Sequence, residues 1–238
     1  MMKRNNFPFS AVLGLNHAKT AILIVLVNPR AGGLLISGPR GIGKSTLMRS
    51  TQELIERPWR DIPVSVTEDR LFGTIDTEKA IYSGQKKLYP GIINEADQGV
   101  LYLDDANLLR EDLLDSILNI AEVGAYQLER DGLSLRCDTS FTVIAAINPE
   151  SGMLSGACLD QFGLFVNVDN IHDENTRVEI LKRTISFEKD CASFCKLWKL
   201  ENEKIKKAIH SAMSLLPKVV VSSAMIQSAS VHELTAPV

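Results

Sequence analysis

Gly33-Leu34-Leu35-Ile36-Ser37 runs directly into Gly38-Pro39-Arg40-Gly41-Ile42-Gly43-Lys44-Ser45-Thr46, and this order decides the fold. The apolar run after a glycine pair reads as a buried strand. Gly38–Ser45 fits G-x-x-x-x-G-K-[ST] in full. Thr46–Arg57 then reads as a helix closed by Pro58. Strand, glycine loop and helix in this order form a phosphate cradle. The glycines allow successive backbone N–H groups to curl around an anion, and the helix turns its positive end toward it. Lys44 is expected to neutralise β/γ oxygens of ATP, and Ser45 to offer its hydroxyl to Mg²⁺. At average residue frequencies the pattern arises by accident in roughly 1% of chains this long. The flanking strand and helix lower that further.

Working outward, Asn16–Val27 has apolar residues at helical spacing and stops at Asn28-Pro29. Downstream, Val100–Leu103 is a second buried strand ending in Asp104-Asp105, and Glu111–Ala121 is an amphipathic helix. Asp131-Gly132, flanked by alternating residues, signals a hairpin. Phe141–Ile147 is a third buried strand, stopped by Asn148-Pro149, and Leu164–Val168 a fourth. From Asp173 to about Leu216 the pattern is helical. Strands alternating with helices predict an α/β fold, a P-loop NTPase with a mostly parallel sheet flanked by helices. The division expected is a nucleotide-binding core over 1–170 and a small helical lid, read as incomplete, over 171–238.

The polar residues ending these strands carry the chemistry. Asp104, at the end of a strand taken to lie beside the P-loop strand, is placed to hold Mg²⁺. Asp105 would orient or deprotonate the attacking water. Asn148 would sense the γ-phosphate. The plainer alternatives are a solvated Asp-Asp turn and, for Asn148, a turn cap.

Composition bounds the rest. The 238 residues are 45% hydrophobic and 23% charged, with net charge −3 and pI near 5.9. A core of ordinary size is affordable, and nucleic acid is disfavoured as main partner, because a phosphate-binding surface needs a basic excess. Ala21–Val27 is too short to span a bilayer, and Met1–Ser10 lacks a signal-peptide pattern. No membrane association and a cytoplasmic location are therefore expected. Cys137, Cys158, Cys191 and Cys195 form no C-x-x-C pair and read as free thiols in a reducing compartment.

Several stretches together resemble the ATPase (I) subunits of magnesium chelatase, within the AAA+ superfamily. Phe7–Gly14 looks like the family's opening segment, which lies near the adenine. Thr67–Ala80 is similar to a stretch highly characteristic of the family. Pro90-Gly91 and Gly99–Leu109 resemble its Walker B region, Gly124–Gly132 its inserted hairpin, and Asn148-Pro149-Glu150 its sensor 1 segment. The resemblance runs from Phe7 to Arg183. It implies a ring, commonly hexameric, with ATP at subunit interfaces. It implies a second AAA+ subunit carrying an integrin-like domain, and a third that holds the porphyrin. ATP hydrolysis would drive a divalent metal into a tetrapyrrole.

This sequence departs from the family pattern in three places. Gln161 in Leu159-Asp160-Gln161-Phe162-Gly163 stands where the family has its arginine finger. Such an arginine is worth 10³–10⁵ in rate in GTPases, roughly 4–7 kcal/mol of barrier. Asp105 stands in place of Glu, and the family's sensor 2 arginine would lie beyond Val238. Two alternatives therefore stay open. One is a nucleotide-binding assembly partner impaired in hydrolysis. The other is a MoxR-type ATPase that matures a metal centre.

Overall fold

The structure is a computed structural model that describes residues 6–75, 88–130 and 133–223. Its centre is a five-stranded sheet of β1 (Leu34–Ser37), β2 (Trp59–Ile62), β5 (Gly99–Leu103), β8 (Phe141–Ile147) and β9 (Leu164–Asn167). The order across the sheet is β2-β5-β8-β1-β9, and every pairing is parallel. Short antiparallel pairs add β3 (Gly73–Ile75) with β4 (Leu88–Pro90), and β6 (Ala125–Arg130) with β7 (Leu133–Asp138). The last is the expected hairpin; its Asp131-Gly132 turn lies outside the described residues.

Period-two alternation sorts the strand residues onto two faces. Leu35, Leu101, Leu103, Val143, Ala145 and Ile147 pack beneath helix Glu111–Val123 through Leu113, Leu114 and Ile117. Leu34, Ile36, Val100, Tyr102, Ile144 and Ala146 pack against helices Asn16–Val27 and Lys44–Thr51. β8 is buried along its whole length, as its unbroken apolar run requires. Each fully buried Leu or Ile contributes roughly 1.5–3 kcal/mol.

The chain crosses itself closely at Gly163. A Cβ there would stand 1.7 Å from the Ala31 carbonyl oxygen, so only glycine fits between β9 and the turn before β1. Gly163 N–H donates to Gly32 O at 2.9 Å, closing that approach.

Helices Glu174–Lys189 and Cys191–Leu215 follow, each started by an aspartate. Asp173 accepts from Thr176 N at 2.7 Å, and Asp190 from Ser193 N at 3.0 Å. The side chains of Thr176 and Ser193 first, and then these backbone bonds, hold both carboxyls below the usual carboxylate range. The two helices meet the core through the N-terminal segment. Phe7 lies 5.1 Å from Phe187 and 5.2 Å from Phe194, ring to ring. Ser10 N–H donates to Asn202 Oδ1 at 2.9 Å. Among the described residues, no helix is long and apolar enough to cross a membrane.

Three expectations change. The helix after the loop is Lys44–Thr51, followed by a 3₁₀ turn over Gln52–Leu54, and it ends six residues before Arg57. Trp59–Ile62 is a strand that its mixed sequence did not announce, because two of its four residues face solvent. And β5 is not beside the P-loop strand β1: β8 lies between them.

Candidate functional site

Parallel register brings the predicted residues to one edge of the sheet. Ser37 is level with Ile147, and Leu103 with Ala145. Gly38, Asp104 and Asn148 therefore all emerge at the carboxyl ends of their strands, where open α/β sheets bind ligands. Gly38 N–H donates to Ile147 O at 3.2 Å and so anchors the loop to β8. A Cβ on Gly38 would lie 2.4 Å from Val168 O, so the loop's first residue admits no side chain.

Gly41 and Gly43 have φ of +86° and +93°, the left-handed region that favours glycine. A Cβ at Gly41 would meet nothing within 4 Å; at Gly43 the nearest atom is Leu15 Cδ1 at 3.9 Å. At these two positions the loop is therefore held by backbone conformation and not by a lack of room for a side chain. Arg40 is exposed, while Ile42, Gly41, Gly43 and Thr46 line a cavity of about 790 Å³. Its opposite wall includes Ala11, Val12, Leu15, Ile171 and Arg177. The segment that resembles the family's adenine-side opening therefore does border the phosphate loop.

Lys44 is only 8% exposed. Its ammonium donates to Gly38 O at 2.6 Å and Pro39 O at 2.8 Å. Burial lowers its pKa below the ordinary value, and the carboxylates of Asp105, Asp104 and Glu150 pull the other way. A buried cation held by carbonyls alone, at the floor of an open anion-shaped loop, is matched to a polyphosphate.

Ser45 Oγ donates to Asp104 Oδ1 at 3.2 Å. A hydroxyl and a carboxylate side by side are all-oxygen donors suited to Mg²⁺. Below them lies Tyr102, 2% exposed. Burial first, then the charge of Asp104, pushes its phenol well above the ordinary range. It stays neutral at any working pH. Asp105 has φ 51°, a left-handed conformation that aspartate tolerates better than most side chains.

Asn148 is buried, and its amide acts as a turn cap. Its Oδ1 accepts from Glu150 N at 3.2 Å and its Nδ2 donates to Ser151 Oγ at 3.3 Å. Among the described residues one Nδ2 hydrogen is left over, because a primary amide carries two. Gln161 lies elsewhere. It ends helix Gly156–Asp160, donates to Ala157 O at 3.3 Å, and lines an open depression with Asp115, Glu122 and Glu129.

Sequence reasoning missed two groups that act on the site from behind. Asn107 Nδ2 donates to Asn148 O at 3.1 Å and Gly152 O at 3.0 Å. Arg183 donates to Ala11 O at 2.9 Å, pairs with Glu179 at 2.9 Å, and stacks 4.6 Å from the Trp198 ring. Lys19 donates to the next carbonyl, Val12 O. Two cations thus grip consecutive carbonyls of the cavity wall. Burial, then the charge of Arg183, lowers the Lys19 pKa.

Known proteins are similar to this chain in sequence and fold. The family model described as an AAA domain of the dynein-related subfamily matches residues 33–161. The magnesium-chelatase 38 kDa subunit of Chlorobaculum tepidum is 34% identical over 261 residues, covering 92% of this chain and 67% of that protein. Its counterpart in Rhodobacter capsulatus is 35% identical over 246 residues, covering 90% and 70%. A solved structure of the BchI–BchD complex of magnesium chelatase contains a chain 35% identical to this one. It superposes with a TM-score of 0.66 and covers 90% of this chain and 77% of that one. With the phosphate loop and the strand-end carboxylates in place, the chain belongs to the AAA ATPases, in the family of magnesium-chelatase I subunits.

Proposed function

We propose that this chain is the ATP-driven motor subunit of a chelatase that inserts a divalent metal into a tetrapyrrole. The observation that carries the reading is Ser45 beside Asp104, with buried Lys44 beneath the same loop. In this reading Gly38, Pro39, Arg40, Gly41, Ile42, Gly43 and Thr46 cradle the phosphates with Lys44. Ser45 and Asp104 hold Mg²⁺, which when bound neutralises phosphate charge. Asp105 orients the attacking water and takes up its proton. Asn148 reports the γ-phosphate through the Nδ2 hydrogen its cap leaves free.

Residues 1–170 act as the core and 171–238 as the lid. The Arg183 contact to Ala11 O ties the lid to the wall of the nucleotide cavity, so occupancy of that cavity bears on the lid's position. The supporting partners are further copies of this chain in a hexameric ring and a second chelatase-type AAA+ subunit with an integrin-like domain. The relatives' BchI–BchD assembly supports a pairing of this kind. The cytoplasm is the location that the free thiols Cys137, Cys158, Cys191 and Cys195 favour.

One observation favours a second reading, a nucleotide-binding assembly partner with slow hydrolysis. Gln161 has no charge to offer a neighbouring site. Reconstitution separates the two. The chain, mixed with a chelatase D-type subunit and a porphyrin-binding subunit, is supplied with Mg²⁺-ATP and protoporphyrin. Metal insertion that requires this chain and fails with Lys44→Ala supports the motor. Assembly without insertion, although ATP is bound, supports the partner.

A further inference from the structure

We infer that Asn107 is a positioning residue that makes Asn148 sensitive to the γ-phosphate, by fixing the strand-end segment after β8 to the one after β5. This rests on the reading of Asn148 given above. Asn107 lies three residues after Asp104 and two after Asp105. Its Nδ2 uses both hydrogens on the facing segment, to Asn148 O at 3.1 Å and Gly152 O at 3.0 Å. Those acceptors lie 41 and 45 residues along the chain and bracket the turn Pro149–Ser151. One side chain therefore spans the turn and holds both its ends. The Asn107 Oδ1 is buried and accepts no hydrogen bond among the described residues.

That geometry has a cost and a use. A buried amide with an unused acceptor is a worse stabiliser than an apolar residue of the same shape. The two donated bonds deliver something an apolar residue does not, a fixed distance between the carboxylates and the Asn148 backbone. The Asn148 side chain is already committed to its own turn through Glu150 N and Ser151 Oγ. Its free hydrogen can be aimed only by placing its backbone. Asn107 does that placing without reaching the nucleotide.

The test compares Asn107→Ala, Asn148→Ala and the double variant with the parent chain. Affinities for Mg²⁺-ADP and for a non-hydrolysable Mg²⁺-ATP analogue are measured, with turnover and melting temperature. In Asn107→Ala, ADP affinity is expected to stay within about twofold, while preference for the analogue over ADP falls about tenfold. Turnover falls, and KM for Mg²⁺-ATP rises with the weakened binding of the analogue. The double variant shows no further loss of preference, because both changes break one link. If Asn148→Ala loses the preference and Asn107→Ala keeps it, Asn107 is a structural brace and the inference is overturned. If Asn148→Ala itself keeps the preference, the sensing role of Asn148 falls and the inference with it. Should Asn107→Ala fail to fold, Asn107→Ser, which retains a donor, carries the same comparison. Loss of preference in proportion to the lost donor supports the inference, and a preference equal to the parent's overturns it.

Discussion

Ser45 Oγ and Asp104 Oδ1 lie 3.2 Å apart although 59 residues separate them and a whole strand, β8, stands between the strands that carry them. A hydroxyl held against a carboxylate in this way is poised to share a hard cation. Replacing Asp104 by Asn keeps size and hydrogen bonding and removes the charge. The Mg²⁺ concentration that supports half-maximal nucleotide binding should then rise about 10- to 100-fold. Metal-free nucleotide binding should be unaffected. Titration of a fluorescent ATP analogue against Mg²⁺ reads both quantities, and an unchanged Mg²⁺ midpoint removes Asp104 from the site.

Lys44 sets a pH dependence whose sign follows from its burial. Its folded pKa is lowered below 10.5, so its charge costs the fold stability below that lowered pKa. The cost is relieved as pH rises from there toward 10.5. Polyphosphate favours the charged form and acts in the opposite sense. Nucleotide affinity should therefore be full at neutral pH and decline before pH 10.5 is reached. Lys44→Met should bind about 10- to 100-fold more weakly at pH 7 and lose the alkaline decline. Its melting temperature without nucleotide should equal or exceed the parent's. Calorimetric affinities from pH 7 to 10.5 check this, and an affinity flat up to pH 10.5 contradicts it.

The left-handed backbone at Asp105 favours a short side chain over the longer glutamate. At φ 51° its side chain is short and polar, the type that tolerates this conformation. Asp105→Glu should cost up to about 1 kcal/mol in stability. Asp105→Asn should leave stability and nucleotide binding alone while lowering turnover by about 10²–10⁴, the range of a lost general base. Thermal melts and single-turnover rates separate these effects. A glutamate variant as stable as the parent would show that the conformation is no constraint.

Gln161 sits away from its own chain's phosphate loop, beside Asp115, Glu122 and Glu129. A guanidinium introduced there would act only on a neighbouring subunit. Gln161→Arg should raise turnover per chain at least about tenfold in assembled protein, out of the 10³–10⁵ such groups supply. At dilution it should raise nothing. A gain that persists at dilution would place the effect within one chain.

Much of this was legible in the sequence, for identifiable reasons. The phosphate loop is a local device, so Gly38 to Ser45 announce it by spacing alone. Phe141–Ile147 and Asn16–Val27 were read to the residue, because a fully buried strand and a helix ending at Asn28-Pro29 leave strong local marks. Trp59–Ile62 left none, since its two central residues, Arg60 and Asp61, both face solvent and break any period-two pattern. The interposed β8 was hidden because strand order is set by which crossovers pack, not by order along the chain. Asn107 and Arg183 were invisible for a related reason. Their partners, Asn148 and Ala11, are 41 and 172 residues away, and nothing near either residue signals the meeting.

As the proposed motor, this chain would hydrolyse Mg²⁺-ATP at sites completed by its neighbours. Steady-state turnover per chain, measured against protein concentration with Lys44→Ala as the blank, tests it most directly. Turnover should climb with concentration toward a plateau and be absent from the blank. ATP demonstrably bound, yet turnover no higher than the blank's at any concentration, would contradict it.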